Sequence, residues 1–335
     1  GNSAKWGFSE VVIMINVLKS VKSDSKGRGQ LKSNSILLVL ILFIIVMQIL
    51  QPKFLTPANI CSVLFSTASA GIVAVGAMFV LISGGLDFTS GYGTALCGVV
   101  GGVIYQATGN AALLLAGCIL CGGLIGIVNG VIITKMKIQP FIATLAMMLA
   151  IQGFIYLVCE GQIIFLDDPV TEFIGKATVF GVIPVQALIF IAVVLLGHFI
   201  LNYTKLGTYT YAIGGNEEAA RCAGISIERY KVYIFVFAGL CTGIASVMMV
   251  TQLSLVTPSI GTTTLMDAIS AAVIGGTSTA GGKGTAFGTL IGALIIGMIS
   301  NALVLLLVPT NAQYLVKGLI IIFALYFNRL VGAKE

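Results

Sequence analysis

Long apolar runs separated by short polar segments recur along the chain from about residue 35 onwards. A helix that crosses a bilayer needs roughly 20 predominantly apolar residues, and runs of that kind predict about ten spans. The eighth run is short and ends in a glycine-rich stretch, which predicts a broken or re-entrant helix. The predicted spans are 35–51, 60–82, 88–107, 111–133, 139–158, 185–202, 232–254, 263–275, 285–307 and 311–328.

The composition agrees with a membrane location. Of the 335 residues, 58% are hydrophobic and 9% are charged, whereas a typical soluble domain is about 25% charged. So few charges could not cover the surface of a soluble chain, but in lipid the outer surface can be apolar. The sequence therefore predicts an all-α, polytopic transmembrane helical bundle.

Basic residues indicate the orientation, because Lys and Arg accumulate in cytoplasmic loops. With ten spans and both termini in the cytoplasm, fifteen of the eighteen basic residues lie inside. Lys53 and Lys176 lie in outside loops and Lys317 lies within a span, while the long outside loop 159–184 contains four acidic residues. The charge pattern therefore favours an even number of spans.

The same pattern predicts a cytoplasmic basic segment, 1–34, and one transmembrane domain, 35–330. The apolar run Val11–Leu18 is short and no small-residue cleavage site follows it, so no cleavable signal peptide is expected. It is equally compatible with an amphipathic helix on the inner leaflet and with a basic tail. The polar cytoplasmic segment 203–231 is long enough for one or two helices but not for a domain.

Glycines recur every fourth residue in two spans, at 122, 126 and 130 and at 284, 288 and 292. This spacing places them on one helix face, where small residues let helices approach closely. Tight packing is the main interpretation, and a moving interface is the alternative.

Two other glycine-rich stretches interrupt the apolar pattern. Broken helices can line a path through a membrane protein, and a tight cytoplasmic turn is an equal alternative. The candidate pathway or hinge residues are Gly84, Gly85 and Asp87 in the first stretch, and Gly275, Gly276, Thr277 and Ser278 in the second.

The second stretch is not a phosphate-binding loop, because Thr277 stands where the motif needs glycine and a glycine follows Lys283. The lone His198 lies near the end of a span. Cys118 and Cys121 lie within a span with no ligand histidine nearby, so we interpret them as packing residues. No ATP-binding, metal or catalytic motif is found, and an enzyme is not predicted.

The most informative polar segment is 211–230. It predicts a short helix between Asn216 as N-cap and Gly224 as a left-handed C-terminal residue. The helix dipole stabilises the acidic residues in its first turn. Its alanines leave little side-chain bulk, which suits docking into a groove on a partner. The candidate docking residues are Gly214, Gly215, Asn216, Glu217, Glu218, Ala219, Ala220, Arg221, Gly224 and Ile225.

Four stretches in this order resemble the ribose-type permeases of ABC importers, and together they cover about residues 36–330. Phe88–Ser90 departs from the family's pattern. The stretches are Phe54–Asn59, Gly84–Asp87, Gly214–Ile225 and Asp267–Thr285.

The resemblance implies a multi-pass protein of the bacterial inner membrane, surrounded by lipid. A second permease subunit, with a homodimer as the simplest case, would complete the pathway. A cytoplasmic ATP-binding subunit would bind 214–225 and hold ATP and magnesium, and an extracytoplasmic protein would deliver ribose or a related pentose or hexose. The resemblance implies no cofactor in this chain and no nucleic-acid partner.

Two charged residues lie within predicted spans, where an unpaired charge is costly. Asp267 and Lys317 both lie near the outer ends of their spans, at depths that differ by a few ångströms at about 1.5 Å per residue. We expect them to form a structural ion pair between the eighth and tenth spans. The alternative is that each extends separately towards the membrane surface.

The sequence gives less support to two other classes of function. An ion-coupled secondary transporter needs ionisable residues near the bilayer midplane, where the sequence offers few, and it gives no role to the alanine-rich cytoplasmic helix. A membrane-embedded enzyme needs a constellation of histidine, acids or metal ligands that the sequence lacks.

Overall fold

The computed structural model describes residues 40–41, 43–179, 181 and 183–332. The chain divides into two units, Gly1–Ile44 and Ile45–Glu335. The described residues of the first unit, 40–41 and 43–44, are helical. The predicted basic segment 1–34, including the run Val11–Leu18, lies outside the described residues.

The second unit begins with helical residues 45–50 and continues as a helical bundle. Its strands are only two residues long, and they pair as β1 with β4 and β2 with β3, both antiparallel. In order the elements are α1 (Pro57–Ile82), α2 (Ser90–Thr108), α3 (Ala111–Lys135), α4 (Pro140–Cys159), β1 (Ile164–Phe165), α5 (Pro169–Lys176), β2 (Thr178–Val179), β3 (Ile183–Pro184), α6 (Val185–Tyr203), α7 (Lys205–Gly215), α8 (Glu217–Cys222), α9 (Ile227–Leu253), β4 (Leu255–Val256), α10 (Thr264–Ile274), α11 (Ala286–Leu305) and α12 (Thr310–Gly332).

A helix occupies each of the predicted spans from the second to the tenth, and the ends differ by at most five residues. Of the first predicted span, 35–51, the structure describes 40–41 and 43–51, and all of these but residue 51 are helical. Among the described residues, six helices are long and apolar enough to cross a membrane: α1, α3, α4, α6, α9 and α11.

The centre of the bundle consists of α1 and α9. Of the most apolar 18-residue window of each helix, 83% is buried in α1 and 78% in α9, compared with 22% in α4. Phe79 and Phe235 are among the largest fully buried side chains of these two helices. The more exposed helices, α4 above all, surround this centre and present apolar side chains outward.

The first predicted glycine stripe packs α3 directly against the backbone of α9. A Cβ on Gly122 would meet the backbone of Gly239 and Gly243, and a Cβ on Gly126 would meet the carbonyl oxygen of Phe235. A Cβ on Gly130 would lie 2.7 Å from the Cα atom of Val232. The stripe is therefore a close-packing surface, as its spacing suggests.

We expect Gly126→Ala to destabilise the protein, because the new methyl group meets backbone that cannot rotate away. Overpacking of this kind typically costs about 1–3 kcal/mol. Gly153→Ala is the matched control, because Gly153 is also helical and has nothing within 4 Å of the added Cβ. Thermal unfolding in detergent should show a lower midpoint for Gly126→Ala only, and equal midpoints would contradict the packing assignment.

The eighth predicted span is a short helix next to irregular backbone. With 11 residues, α10 is about 16 Å long, roughly half the thickness of a bilayer core. The segment before it and its first turn run alongside α2: Val256 and Thr262 of the segment lie against Gly102 and Gly91, and Leu265 of the helix also lies against Gly91. The helix thus begins inside the bundle, as a broken helix would.

Two glycines of the second predicted stripe pack α11 onto this short helix, whereas Gly284 lies before α11 and packs against Ile82 and Thr277. A Cβ on Gly288 would meet the carbonyl oxygen of Gly275, and a Cβ on Gly292 would meet that of Ala271. Close backbone contact therefore fixes the end of α10 and the start of the irregular segment 275–285.

Candidate functional site

Within segment 203–231, α7 and α8 are joined by one residue, and residues 227–231 form the start of α9. The side-chain oxygen of Asn216 accepts a hydrogen bond from the Ala219 N–H at 2.9 Å, which caps α8. The backbone N–H of Asn216 donates to the Ala212 carbonyl at the end of α7. Asn216 therefore ends one helix and starts the next, which turns the chain sharply at this position.

Charged residues hold α8 against the start of α9. Lys231 Nζ lies 2.7 Å from Glu217 Oε2, and Arg221 lies 3.5 Å from Glu217 and 3.6 Å from Glu228. The Lys231 side chain is 17% exposed, while the Arg221 and Glu228 side chains are more than half exposed. Exposed pairs of the latter kind contribute little, about 0–1 kcal/mol, so the Glu217–Lys231 pair is the main electrostatic attachment.

The alanines of α8 do not all face the same way. Ala219 and Ala223 are exposed and form the small-residue surface that the sequence predicts. Ala220 is buried in a cluster with Ile213 and Ile227, and Ile225 packs against that cluster. The prediction of Ala220 as a surface residue is wrong: a helix this short needs an apolar anchor, and Ala220 provides it. Glu218 is exposed and free to meet a partner surface.

Three of the predicted glycine motifs end helices in the same way. Gly84, Gly276 and Gly224 have φ values of +81°, +91° and +82°, in the left-handed region that favours glycine. In each case its N–H and the next N–H reach back to carbonyl groups of the preceding helix, which is the Schellman arrangement. The motifs therefore end α1, α10 and α8 sharply.

The end of α1, the end of α7 and the loop that follows α10 meet in one junction, which we call the glycine junction: the backbone of Ile82, Gly214 and Gly282. The Gly282 N–H donates to the Ile82 carbonyl at 2.8 Å. A Cβ on Gly214 would meet that same carbonyl oxygen and would lie 2.8 Å from the Gly282 nitrogen. The Tyr211 hydroxyl donates to the Gly284 carbonyl at 2.6 Å. The structure thus joins the candidate docking segment to both glycine breaks.

Other candidate residues of the two breaks stabilise the loops themselves. The Ser278 N–H donates to the Lys283 carbonyl, and the Ala280 N–H donates to Ser278 Oγ. Gly85 packs against Val80, and Thr277 is fully buried. These contacts give the second loop a fixed shape where it meets α7.

Asp87 lies buried in the first break. Its Oδ1 atom accepts hydrogen bonds from the N–H and the hydroxyl of Thr89. The Asn129 side-chain amide donates to the Thr89 hydroxyl at 2.9 Å, which links the loop to α3. Burial raises the pKa of the Asp87 carboxyl, and the Thr89 hydrogen bonds partly oppose this effect. No sequence motif indicated Asn129 as a partner, because it lies 40 positions from Thr89.

The structure brings Asp267 and Lys317 together. Lys317 Nζ lies 2.9 Å from both carboxylate oxygens of Asp267. The two side chains are 20% and 19% exposed. The pair joins α10 to α12. Among the described residues, no group of three or more His, Cys, Asp or Glu could hold a metal ion.

Comparisons with known proteins identify the family. The family described as "Branched-chain amino acid transport system / permease component" matches residues 59–325. The ribose import permease protein RbsC of Escherichia coli is 38% identical over 297 residues, covering 86% of this chain and 91% of that protein. RbsC of Bacillus subtilis is 37% identical, covering 87% of this chain and 90% of that protein.

A second kind of relative transports a different sugar. The L-arabinose ABC transporter permease protein AraH of Azospirillum brasilense is 37% identical, covering 89% of this chain and 87% of that protein. No solved structure matches the chain at a significant level. Its apolar helices and its bacterial relatives place the chain in the bacterial inner membrane as a multi-pass protein, and it belongs to the permease-component family of transport systems.

Proposed function

We propose that this chain is the membrane-spanning subunit of an ATP-driven importer for a monosaccharide, ribose or a related pentose or hexose. The relatives named as ribose and arabinose permeases match over most of their length and of this chain, which supports a sugar as the substrate. The subunit forms the translocation pathway and performs no covalent chemistry. ATP and magnesium bind to a partner subunit.

One observation of this structure supports the coupling role most directly. The exposed helix α8 is anchored at one end to α7, and Gly214 of α7 packs on the glycine junction. A force applied to α8 by a closing ATPase pair would therefore reach the end of α1 and the loop that follows α10 through backbone contacts. Packed elements of this kind transmit movement as rigid bodies.

The proposed topology has about ten spans with both termini in the cytoplasm. In this arrangement segment 203–231 and the basic segment 1–34 face the cytoplasm, and loop 159–184 faces outward. The bias of Lys and Arg supports it. The external sugar-binding protein would dock on the outward loops, and a second copy of this chain would complete the pathway.

Reconstitution in vesicles tests the proposal. The purified chain, combined with its cognate ATP-binding subunit and sugar-binding protein, should take up ribose or arabinose only when ATP is present. Uptake that persists without ATP and follows an ion gradient would instead establish a secondary transporter. Ala219→Trp on the exposed face of α8 should prevent stimulation of the ATPase, whereas Leu120→Trp on the exposed face of α3, at a side chain that is 70% exposed, should not.

A further inference from the structure

A cavity of about 90 Å³ with several polar lining residues lies between α1, α10, α11 and α12. Its polar lining residues are Ser66, Thr67, Asp267, Ser300 and Lys317, and its other lining residues are alanine, glycine and isoleucine. The cavity therefore combines several hydrogen-bonding groups with small apolar walls in a region where the surrounding helices are apolar.

Its charged pair keeps unused hydrogen-bonding capacity. Lys317 Nζ donates to both Asp267 oxygens, and an ammonium group has three donors while a carboxylate has about four acceptor positions. One N–H and about two acceptor positions therefore remain. Both side chains are about one-fifth exposed, so a small molecule can reach them. Because the two charges neutralise each other, the pair favours a neutral polar ligand over an ion.

Thr67 adds the clearest sign of a missing partner. It is 1% exposed, and its hydroxyl has no hydrogen-bond partner among the described residues. Buried threonines of this protein usually bond to the carbonyl four residues earlier, as Thr242 and Thr251 do. At Thr67 that carbonyl, of Val63, accepts instead from Ser66. An unpaired buried hydroxyl costs about 1–3 kcal/mol, and a ligand hydroxyl would relieve this cost once the contact of the Thr67 hydroxyl with Gly297 of α11 opens.

The two serines add hydrogen-bond acceptors to the cavity, and the complete set of polar groups suits the hydroxyl groups of a ligand. Ser66 and Ser300 donate to backbone carbonyls of their own helices at 3.1 and 2.9 Å, which leaves the lone pairs of both oxygens to accept. The site can thus donate from Lys317 and Thr67 and accept at the serines and Asp267. A hydroxyl group both donates and accepts, so adjacent hydroxyls of a sugar match this set.

The position of the cavity suits a transport path. Thr67 is ten residues from Pro57 and fifteen from Ile82, the ends of α1, or about 15 and 22 Å along the helix. The cavity also borders the broken helix α10, and binding sites of transporters lie near the midplane beside such helices. A volume of about 90 Å³ matches about three water molecules, so two or three hydroxyls fit but a whole sugar does not.

We propose that this cavity is a transient binding site for adjacent hydroxyls of the transported sugar, with Thr67, Ser300 and the Asp267–Lys317 pair as its hydrogen-bonding groups. The proposal rests on the proposed function. None of the lining residues is aromatic, so the site lacks a stacking surface and binds weakly, which lets the sugar leave again.

Thiol labelling tests the proposal without transport. Ser300→Cys, in a background with the native cysteines replaced by serine, should react with a water-soluble methanethiosulfonate, and ribose should slow the reaction. Betaine, which has no hydroxyl group, should not. Adding Thr67→Val should raise the ribose concentration needed for half-protection about fivefold. The matched change Thr242→Val, at a buried threonine outside the cavity, should leave it unchanged.

Several results would overturn the cavity assignment. They are an unreactive Ser300→Cys, a reaction that no transported sugar slows, and equal effects of the two valine variants. Ser66→Cys places a thiol in the cavity from α1 instead of α11, so it replaces Ser300→Cys if that variant does not fold. If ATP-driven sugar uptake is intact in vesicles while the thiols are not protected, the cavity proposal fails and the proposed function stands. If no sugar is taken up, the proposed function itself fails.

Discussion

Gly214→Val is expected to abolish ATP-driven uptake. The added side chain would meet the Ile82 carbonyl oxygen and the Gly282 nitrogen, which are themselves hydrogen bonded at 2.8 Å. Neither backbone atom can move by rotating a side chain, so α7 must separate from the end of α1 and from the loop that follows α10. We expect uptake to fall by at least about tenfold, since overpacking of about 1–3 kcal/mol acts here on the proposed path of coupling. Sugar uptake and ATP hydrolysis in vesicles measure the effect.

Gly153→Val provides the control. Gly153 is also a helical glycine, it lies outside the docking segment, and a Cβ there has nothing within 4 Å. Both variants place valine at a helical glycine, but only Gly214→Val meets neighbouring backbone. Similar uptake by both would contradict a coupling role for the glycine junction. If Gly214→Val still hydrolyses ATP in the full complex but moves no sugar, the complex is folded and assembled. The junction is then needed to transmit movement and not only to stabilise the fold.

The sequence was sufficient to locate the helices because apolar runs of membrane length are a strong and local signal. It also indicated that chain breaks follow Ile82 and Ile274 and that α8 ends before Gly224, because glycine is the residue that accepts a left-handed conformation. What it could not show is that the end of α7 touches both the end of α1 and the loop that follows α10. The contact of Gly214 with Ile82 and Gly282 joins residues far apart in the chain, and no periodicity encodes such a distance.

Orientation within short elements was also beyond the sequence. Ala219 and Ala220 are chemically the same, yet one is exposed and the other anchors α8, because a helix of six residues has too little pattern to define a face. The pairing of Ile164 with Val256 was missed for a similar reason, since a strand of two residues shows no alternation. The unpaired hydroxyl of Thr67 depends on which neighbour occupies the Val63 carbonyl, and only the packed structure reveals that.

The Asp267–Lys317 pair is expected to show a large, non-additive effect on stability. Removing one partner of a buried ion pair leaves the other charge uncompensated, which costs about 3–5 kcal/mol when the pair is fully buried. Since both side chains here are about one-fifth exposed, we expect about 2 kcal/mol for either Asp267→Ala or Lys317→Ala. The double variant should lose clearly less than the sum of the two, because it leaves no unpaired charge. Thermal unfolding in detergent without sugar measures all three proteins.

The exposed pair of Glu172 and Lys176 offers a control for this cycle. Its atoms lie 3.4 Å apart, and its side chains are 68% and 54% exposed, so Glu172→Ala should change stability by less than about 0.5 kcal/mol. Raising the salt concentration should weaken that exposed pair and leave the coupling between Asp267 and Lys317 nearly unchanged, because partly buried charges are screened less. Strictly additive effects at 267 and 317 would mean that each side chain is solvated separately. In that case the pair would not hold α10 to α12, and the charge-neutral cavity beside it would lose its physical basis.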